Sequence, residues 1–462
     1  MLPPIESENL FGRSNDAITA FGPKSNIAHI GRLQMQAEVN GAARRPKVFS
    51  ATTNVLILIC LMYGITYIDR VNVSTASAAF KQELHLNNTQ IGLVFSAFAY
   101  PYLLFQIIGG WVSDRFGARR ALTISAVIWA SATLFTGLVT SLATMIFARV
   151  MLGFGEGATF PTATRAMSDW TPPGKRAFAQ GITHSCARLG NAITPPLVVW
   201  LMALVTWRGS FVILGIVSMA WAIAWGLYFR DNPGDHPVIT QQELETLPRY
   251  ATGAQKKKDP VPWLMLWRRM LPVTIVYFCY GWTLWLYLAW IPQFFLHSYK
   301  LDLKNSALFS AGVFFAGVVG DTLGGIMSDR VFEKTHSRDK ARRNLVVIGF
   351  LCSLAFMLPI VFTHNLTGAA ICLSLAFFFA EFTIGPMWAI PMDIAPKFSG
   401  SASGLMNTGS ALAAILSPIV FGYVIDKTGN WELPFLGSIG LLLFGSILAF
   451  WMKPDKGLAD AA

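Results

Sequence analysis

The chain has 462 residues, of which 53% are hydrophobic and 13% charged, and this composition excludes a soluble protein of several domains. The formal net charge of +11 would indicate nucleic-acid binding in a soluble protein, but most lysines and arginines lie in loops between apolar segments, so we expect no nucleic-acid partner. The five cysteines lie in apolar segments and form no CxxC pair. We therefore expect an integral membrane protein with five free thiols, no metal and no cofactor.

Residues 1–50 are polar and lack the apolar core of a signal peptide, so we expect a disordered cytoplasmic tail. Met35 is an alternative start of the chain. Beyond the tail, twelve apolar segments each approach the roughly 20 residues that a helix needs to cross a bilayer. All should be helices, because a helix satisfies its own backbone hydrogen bonds in lipid. These spans 1 to 12 lie at residues 53–79, 90–112, 121–140, 143–166, 177–203, 209–229, 270–297, 305–327, 344–363, 367–392, 400–424 and 433–452.

Most lysines and arginines fall in loops on the side of the N-terminus when the loops are assigned alternately to the two sides. Because positive residues stay in the cytoplasm, both termini should lie inside a multi-pass cell-membrane protein. A long polar loop in the middle separates two sets of six spans. The expected divisions are the N-terminal half 51–230, the cytoplasmic central loop 231–268, the C-terminal half 269–452 and a cytoplasmic tail 453–462.

A short motif in the loop after span 2 recurs after span 8. The sequence GWVSDR at 110–115 returns as GIMSDR at 325–330, 215 residues later. Two six-helix pseudo-repeats of this kind are typical of secondary transporters, whose substrate site lies between the repeats. We expect these loops to form a gate that contains Gly110, Asp114, Arg115, Asp329 and Arg330.

The stretch GWVSDRFGARR at 110–120 resembles the loop signature of the major facilitator superfamily. Three further stretches are similar to its anion:cation symporter branch, which includes sugar-acid, tartrate and phthalate permeases: YIDR at 67–70, FSAFAYPY at 95–102, and RVMLGFGEGA at 149–158. The resemblance implies a monomer that takes up an organic carboxylate with protons by alternating access. The implied substrate is a sugar acid such as a hexuronate or galactonate, or tartrate or another dicarboxylate.

Four charged residues inside spans 1 and 4 are the strongest candidates for function, because charge at membrane depth is costly. Arg149 and Glu156 are seven residues apart, too far along one helix for a direct ion pair, so each needs a partner, and Asp69 and Arg70 are the candidates. The resemblance implies that Asp69 and Glu156 carry protons, that Arg70 binds the substrate carboxylate and that Arg149 tunes one of the acids. The alternative is a fixed ion-pair network that locks spans 1 and 4.

Four further residues are expected to contact the substrate. Tyr102 matches a family tyrosine that faces the substrate, although it is also suited to aromatic packing. Asn407 is suited to the cavity or to a hydrogen bond between helices. Arg188 either supplies a second cation, which favours a dicarboxylate, or pairs with Glu381. Span 7 has no counterpart of the charged pair of span 1, so coupling is expected in the N-terminal half, with Trp285 as part of an aromatic wall.

Other functions are possible for the same fold. A facilitator or exchanger would carry aromatic or other organic acids without protons, and a sensor would bind without transport. An enzyme is not expected, because the chain contains neither a GxSxG nor an HExxH motif.

Overall fold

A computed structural model describes residues 50–86, 90, 93–95, 97–248, 260–301, 303–362 and 365–458. Helix is the regular secondary structure throughout these residues, as the composition predicts. The predicted N-terminal tail, apart from Ser50, and the middle of the predicted central loop lie outside the described residues.

Among the residues that the structure describes, six helices belong to the first half and eight follow in the second part of the chain. The first six are α1 (Ala51–Glu83), α2 (Ala99–Phe116), α3 (Ala118–Thr136), α4 (Leu142–Gly157), α5 (Thr159–Trp170) and α6 (Arg176–Tyr228). The others are α7 (Gln241–Thr246), α8 (Trp263–Ser298), α9 (Leu303–Thr335), α10 (Asn344–Met357), α11 (Leu366–Glu381), α12 (Ile384–Ile394), α13 (Ser399–Thr428) and α14 (Leu433–Leu448).

Nine stretches of the described residues are long and apolar enough to cross a membrane. One of them, Pro173–Tyr228, contains both predicted spans 5 and 6, which meet where Thr206 adopts φ 70° and ψ 171°. Predicted span 3 is α3, and predicted span 4 is divided between α4 and α5. Charged side chains are buried inside this bundle whereas large apolar side chains are exposed, which is the pattern expected of a protein surrounded by lipid.

Spans 4 and 10 were each expected to be one helix, and each is broken. Helix α4 ends at Gly157, four residues before Pro161, and α11 ends at Glu381, with Pro386 four residues after Phe382. Proline has no backbone N–H and cannot donate to the carbonyl four residues earlier, so the helix is interrupted at that point. The two breaks lie at equivalent positions of the two repeats, 225 residues apart.

Glycines allow the two halves to pack closely. Gly110 of α2 packs against the first turn of α13, where a Cβ atom would lie 3.1 Å from Cα of Ser401. Gly325 of α9 packs in the same way against the first turn of α6, where a Cβ atom would lie 2.9 Å from Cα of Phe178. These two crossings bring the repeated loops into contact with the opposite half.

Candidate functional site

A small cavity lies between the halves, and all five residues assigned to the substrate from the sequence line it. Its volume is about 30 Å³, measured as the space open to the centre of a water molecule. A space of that size holds one or two waters. The lining residues of this cavity include Arg70, Tyr102, His184, Arg188, Trp285 and Asn407.

Arg70 reaches the cavity from α1 inside a cage of aromatic rings. Its guanidinium carbon lies 4.8 Å from the ring centroids of Tyr67 and Tyr102 and 5.0 Å from that of Phe160. Its Nε donates to Oε2 of Glu156, whereas its Nη2 has no hydrogen-bond partner among the described residues. The cage fixes the guanidinium through cation–π attraction and leaves one donor for an anion.

Glu156 is the last acid before the break between α4 and α5. It is fully buried, and its Oε1 has no hydrogen-bond partner in the described part of the chain. Since Arg70 compensates its charge, any anion that competes for Arg70 leaves Glu156 as a buried carboxylate without a cation. Such a carboxylate is costly unless it takes a proton.

Asp69 points away from the cavity into the first half. Ser218 of α6 donates to its Oδ2 at 2.7 Å, and its Oδ1 is buried without a partner among the described residues. Asp69 and Arg70 are adjacent in sequence, so they occupy different faces of α1 and their side chains have different neighbours. The acid lies behind the arginine.

Arg149 does not form the ion pair that the sequence suggested. Among the described residues no carboxylate lies within 4.0 Å of it, and its Nε and Nη1 lack hydrogen-bond partners. Its guanidinium carbon lies 5.1 Å from the ring centroid of Phe98, and its charge acts on Glu156 and Asp69 through the electrostatic field. The four charged residues of spans 1 and 4 are therefore not one closed network of salt bridges.

Arg188 pairs with Glu381, the alternative that the sequence had left open. Its Nη2 donates to Oε2 of Glu381 at 3.1 Å and to the hydroxyl of Tyr280 at 3.1 Å. Tyr280 in turn donates to the Glu381 carboxylate at 2.9–3.0 Å. Arg188 also keeps two donors, Nε and Nη1, without partners in the described residues, and it lines the cavity.

The remaining predicted contacts have mixed surroundings. Tyr102 stacks on Phe98 with ring centroids 5.2 Å apart and also faces Arg70. Asn407 donates across the halves to Oε1 of Gln106 at 2.8 Å. Trp285 lines the cavity with its buried Nε1 unpartnered among the described residues, so it is the tryptophan of α8 best placed to meet a ligand.

His184 also lines the cavity but is held by local contacts. Its Nδ1 is hydrogen-bonded to the carbonyl of Gln180 at 2.9 Å, and its ring lies 5.1 Å from that of Trp388. These contacts match those of a packed histidine.

The two repeated loops bind the helix starts of the opposite half. Asp114 accepts backbone N–H bonds from Gly400 at 3.1 Å and Ser401 at 2.7 Å, at the start of α13. A carboxylate at a helix N-terminus is stabilised by the helix dipole and the free N–H groups. We call the end of the bundle at which Asp114 meets the start of α13, and where the arginine-rich loops lie, the basic end.

Asp329 repeats the arrangement at the start of α6. It accepts from the backbone N–H groups of Ala177 at 3.3 Å and Phe178 at 2.8 Å. Arginines missed in the sequence complete both contacts: Arg165 lies 3.5 Å from Asp114, and Arg342 lies 2.9 Å from Asp329. The basic end is therefore closed. Of the gate residues expected from the sequence, Arg115 and Arg330 are instead exposed, and no ion pair in the described part of the chain includes them.

Several site residues were not found from the sequence. Phe160 and Trp388 look like ordinary apolar residues of a span, and only their neighbours in space reveal them. Glu381 was named only as an alternative partner of Arg188, although the sequence holds a further signal: Glu156 and Glu381 each lie five residues before a proline, in EGATFP and EFTIGP. No group of three or more histidine, cysteine or acidic residues suited to a metal occurs among the described residues.

Comparisons with known proteins agree with this architecture. The family model described as Major Facilitator Superfamily matches residues 59–418 and 339–460. The chain is 47% identical to a probable sulfoacetate transporter of Cupriavidus necator over 87% of this chain and 93% of that protein. It is 29% identical to a hexuronate transporter of Bacillus subtilis, over 89% of this chain and 97% of that protein. The crystal structure of the transporter FucP in the outward conformation shares the fold, with a TM-score of 0.67 at 14% identity, over 87% of this chain and 99% of that one.

Proposed function

The chain belongs to the major facilitator superfamily, and from this premise we propose that it carries a short organic dianion together with protons by alternating access. It is a multi-pass membrane transporter and not an enzyme. The substrate class, the coupling ion and the roles of individual residues are the content of the proposal.

The observation that carries the proposal is the state of Arg70. It is a nearly buried cation that faces a small cavity between the halves, it is caged by aromatic rings, and one of its donors is unpartnered among the described residues. A cation in such a place attracts an anion strongly, because the low dielectric strengthens electrostatic attraction. Arginine also suits carboxylate and sulfonate groups, whose oxygens accept two parallel hydrogen bonds from its planar fork.

Proton coupling follows from the pairing of Arg70 with Glu156. When the substrate anion takes Arg70, Glu156 loses its cation inside the bundle. Leaving that carboxylate charged and unpaired costs several kcal/mol, so binding of the anion favours binding of a proton by Glu156. Asp69, also buried, is the second proton carrier, and Arg149 biases both acids through its positive field.

Two features favour a short dianion over a sugar acid. Arg70 and Arg188 both line the cavity, so it offers a cation to each end of a substrate. The relative named for sulfoacetate, a two-carbon molecule with one carboxylate and one sulfonate, is also more similar to this chain than the relative named for hexuronate.

Alternating access requires that the closed end opens. Asp114 and Asp329 each bind a helix start of the opposite half, so release of both contacts would let the halves separate at the basic end. We assign the basic end to the cytoplasm because arginine and lysine collect there.

The test is uptake into proteoliposomes of labelled sulfoacetate, tartrate, galactonate and glucuronate, with and without an inward proton gradient. The variants are Glu156→Gln and Asp69→Asn, with Glu245→Gln and Asp235→Asn as matched controls on exposed positions. We expect sulfoacetate to accumulate only with the gradient, and we expect both test variants, but neither control, to lose that accumulation.

Equal uptake with and without the gradient would replace the symporter by a facilitator or exchanger. Accumulation of galactonate or glucuronate but not of sulfoacetate would overturn the substrate class. Binding without transport in any condition would favour a sensor.

A further inference from the structure

We propose that Glu381, with Asp321 beside it, is a second proton site, which is loaded when Arg188 binds the second anionic group of the substrate. The inference rests on the proposed function, since it assumes a dianion in the cavity. It assigns proton coupling to the second half as well, whereas the charged pair of span 1 predicts coupling in the N-terminal half alone.

The first argument is the geometry of the pair. Arg188 comes from α6 in the first half, and its partners Glu381 and Tyr280 come from α11 and α8 in the second half. Arg188, Glu381 and Tyr280 are all buried to 98% or more. The pair therefore joins the two moving halves at the wall of the cavity, away from the basic end. Because Arg188 still has two donors without partners in the described residues, it is able to meet a second anion there.

The second argument is internal symmetry. Glu156 and Glu381 each lie at a helix break, five residues before a proline, and the two glutamates are 225 residues apart. Each accepts a hydrogen bond from an arginine that lines the cavity, Arg70 in one case and Arg188 in the other. The two glutamates therefore hold the two cations of the cavity in the same manner. One anionic group of the substrate therefore displaces Glu156 from Arg70, and the other displaces Glu381 from Arg188.

Asp321 supplies the third argument. It is fully buried on α9, one turn after Gly317, whose missing side chain lets α9 come close to Glu381: a Cβ atom there would lie 3.1 Å from Cγ of Glu381. Neither carboxylate oxygen of Asp321 has a hydrogen-bond partner of normal geometry in the described residues. The charged side chains that act on it are Glu381 and Arg188. One arginine compensates one carboxylate, so a second buried carboxylate beside it must carry a proton.

The groups around Glu381 define how the site works. Arg188 faces it from α6, Tyr280 from α8 and Asp321 from α9. In the empty state Arg188 and Glu381 neutralise each other, and Asp321 is a neutral acid. When an anionic substrate group accepts the hydrogen bonds of Arg188, the bond from Arg188 Nη2 to Glu381 Oε2 breaks and Glu381 binds one proton from the loading side.

Charge is balanced in this scheme. A dianion brings two negative charges, and Glu156 and Glu381 each bind one proton. Asp69 passes the proton on to Glu156 and has the same charge in both states, so the net charge of the cavity is the same when it is empty and when it is loaded. Equal charge in the two states lets the loaded halves rock without moving an uncompensated charge through the low-dielectric centre of the membrane. A monoanion held by Arg70 alone leaves Arg188 with Glu381 and loads one proton fewer.

The experiment measures protons per substrate. In proteoliposomes with a fixed sulfoacetate gradient, the pH gradient and membrane potential at which net flux vanishes give the number of protons carried with each substrate. We expect Glu381→Gln to carry one proton fewer per sulfoacetate than the unsubstituted chain. Glu245→Gln, a matched change on the exposed face of α7, should leave the number unchanged.

A second readout does not depend on transport. Proton uptake on ligand binding is measured in weakly buffered detergent solution with a pH-indicator dye, for sulfoacetate and for the monoanion methanesulfonate. We expect Glu381→Gln to reduce proton uptake by one per molecule for sulfoacetate and to leave it unchanged for methanesulfonate. An equal proton count in Glu381→Gln and the unsubstituted chain, by either readout, overturns the inference.

If Glu381→Gln alone does not fold, the double variant Arg188→Gln with Glu381→Gln replaces it, since it leaves no buried charge of this pair without a partner. It should bind methanesulfonate like the unsubstituted chain and lose its preference for sulfoacetate. An unchanged preference would overturn the role of Arg188. Failure of the unsubstituted chain to couple sulfoacetate to protons would instead overturn the proposed function.

Discussion

Arg70 and Arg188 share the ring of Tyr67. The guanidinium carbon of Arg70 lies 4.8 Å from the centroid of this ring and that of Arg188 lies 5.8 Å from it, although the two arginines come from different helices. Two cations so close to one ring repel each other, and Glu156 and Glu381 offset that repulsion in the closed state. The ring therefore sets the spacing between the two cations of the cavity.

The first prediction concerns this ring. Tyr67→Phe keeps the aromatic face and should change sulfoacetate binding less than threefold. Tyr67→Ala removes two cation–π contacts, each worth up to about 2 kcal/mol when desolvated, and should weaken sulfoacetate binding by roughly 10-fold or more. Isothermal titration in detergent measures both. Equal affinity of the two variants would show that the ring does not position the arginines.

The second prediction separates charge from geometry at Arg70. Arg70→Lys keeps the positive charge but loses the planar fork and part of its fit in the aromatic cage. A charge-assisted hydrogen bond contributes about 1.5–3 kcal/mol, so the dissociation constant should rise roughly 10- to 100-fold. The matched variant Arg120→Lys, on an exposed arginine, should bind normally. Full affinity in Arg70→Lys would mean that a point charge is sufficient.

The third prediction concerns Asp69. The amide of Asp69→Asn still accepts the hydrogen bond from Ser218, so the fold should survive, but this residue no longer releases a proton. We expect accumulation driven by the proton gradient to be lost while exchange of labelled for unlabelled sulfoacetate continues. Both fluxes are measured in the same proteoliposomes. Loss of exchange as well would indicate that Asp69 serves the fold or the binding step.

The fourth prediction concerns the closed basic end. Asp114→Asn and Asp329→Asn each weaken a carboxylate's contact with the start of a helix, worth about 0.3–2 kcal/mol in helix-dipole energy alone. Each variant should shift the population toward a state open at this end, and the double variant should shift it further because the two contacts are separate. Spin labels at exposed Arg120 and Lys334, in a background without the native cysteines, report the distance between the halves. Asp235→Asn is the control, and an unchanged distance distribution in the double variant would contradict the gate.

The fifth prediction is a pH dependence outside the membrane. Glu83 accepts hydrogen bonds from Trp207 Nε1 at 2.5 Å and from Arg208 at 2.8 Å. These bonds, with the bond from Trp207 the strongest cause, hold the pKa of Glu83 below its usual value of 4.5. A lowered pKa stabilises the fold above pH 4.5, and this contribution disappears as the pH falls through the folded-state pKa. The unfolding temperatures of the unsubstituted chain and Glu83→Gln should therefore differ most above pH 4.5 and converge as the pH is lowered below it. A constant difference would exclude this cluster as the cause.

Much of the protein was predictable because the membrane limits what a chain can do. Long apolar segments must be helices in lipid. The GxxSDR motif occurs at 110–115 and again at 325–330, which indicates the internal repeat. Charged residues buried in lipid are rare, so Asp69, Arg70 and Glu156 were conspicuous in an apolar sequence, and Arg70 does pair with Glu156. The missing N–H of proline also predicts breaks at Pro161 and Pro386, although the lengths of spans 4 and 10 favour single helices.

Tertiary structure decided which charges meet. Spacing within one helix shows which residues share a face, but it contains no information on the partner helix. The choice between Arg188 as a free cation and Arg188 paired with Glu381 therefore depended on how α6 packs against α8 and α11. For the same reason Arg149 could not be known to lack an ion pair among the described residues, nor Asp321 to lie beside Glu381. The sequence by itself determined the helices, the repeat and the buried charges, because these depend on local composition and the membrane. The cavity and the Arg188–Glu381 pair were decided only when the halves packed, since those contacts join residues far apart in the chain.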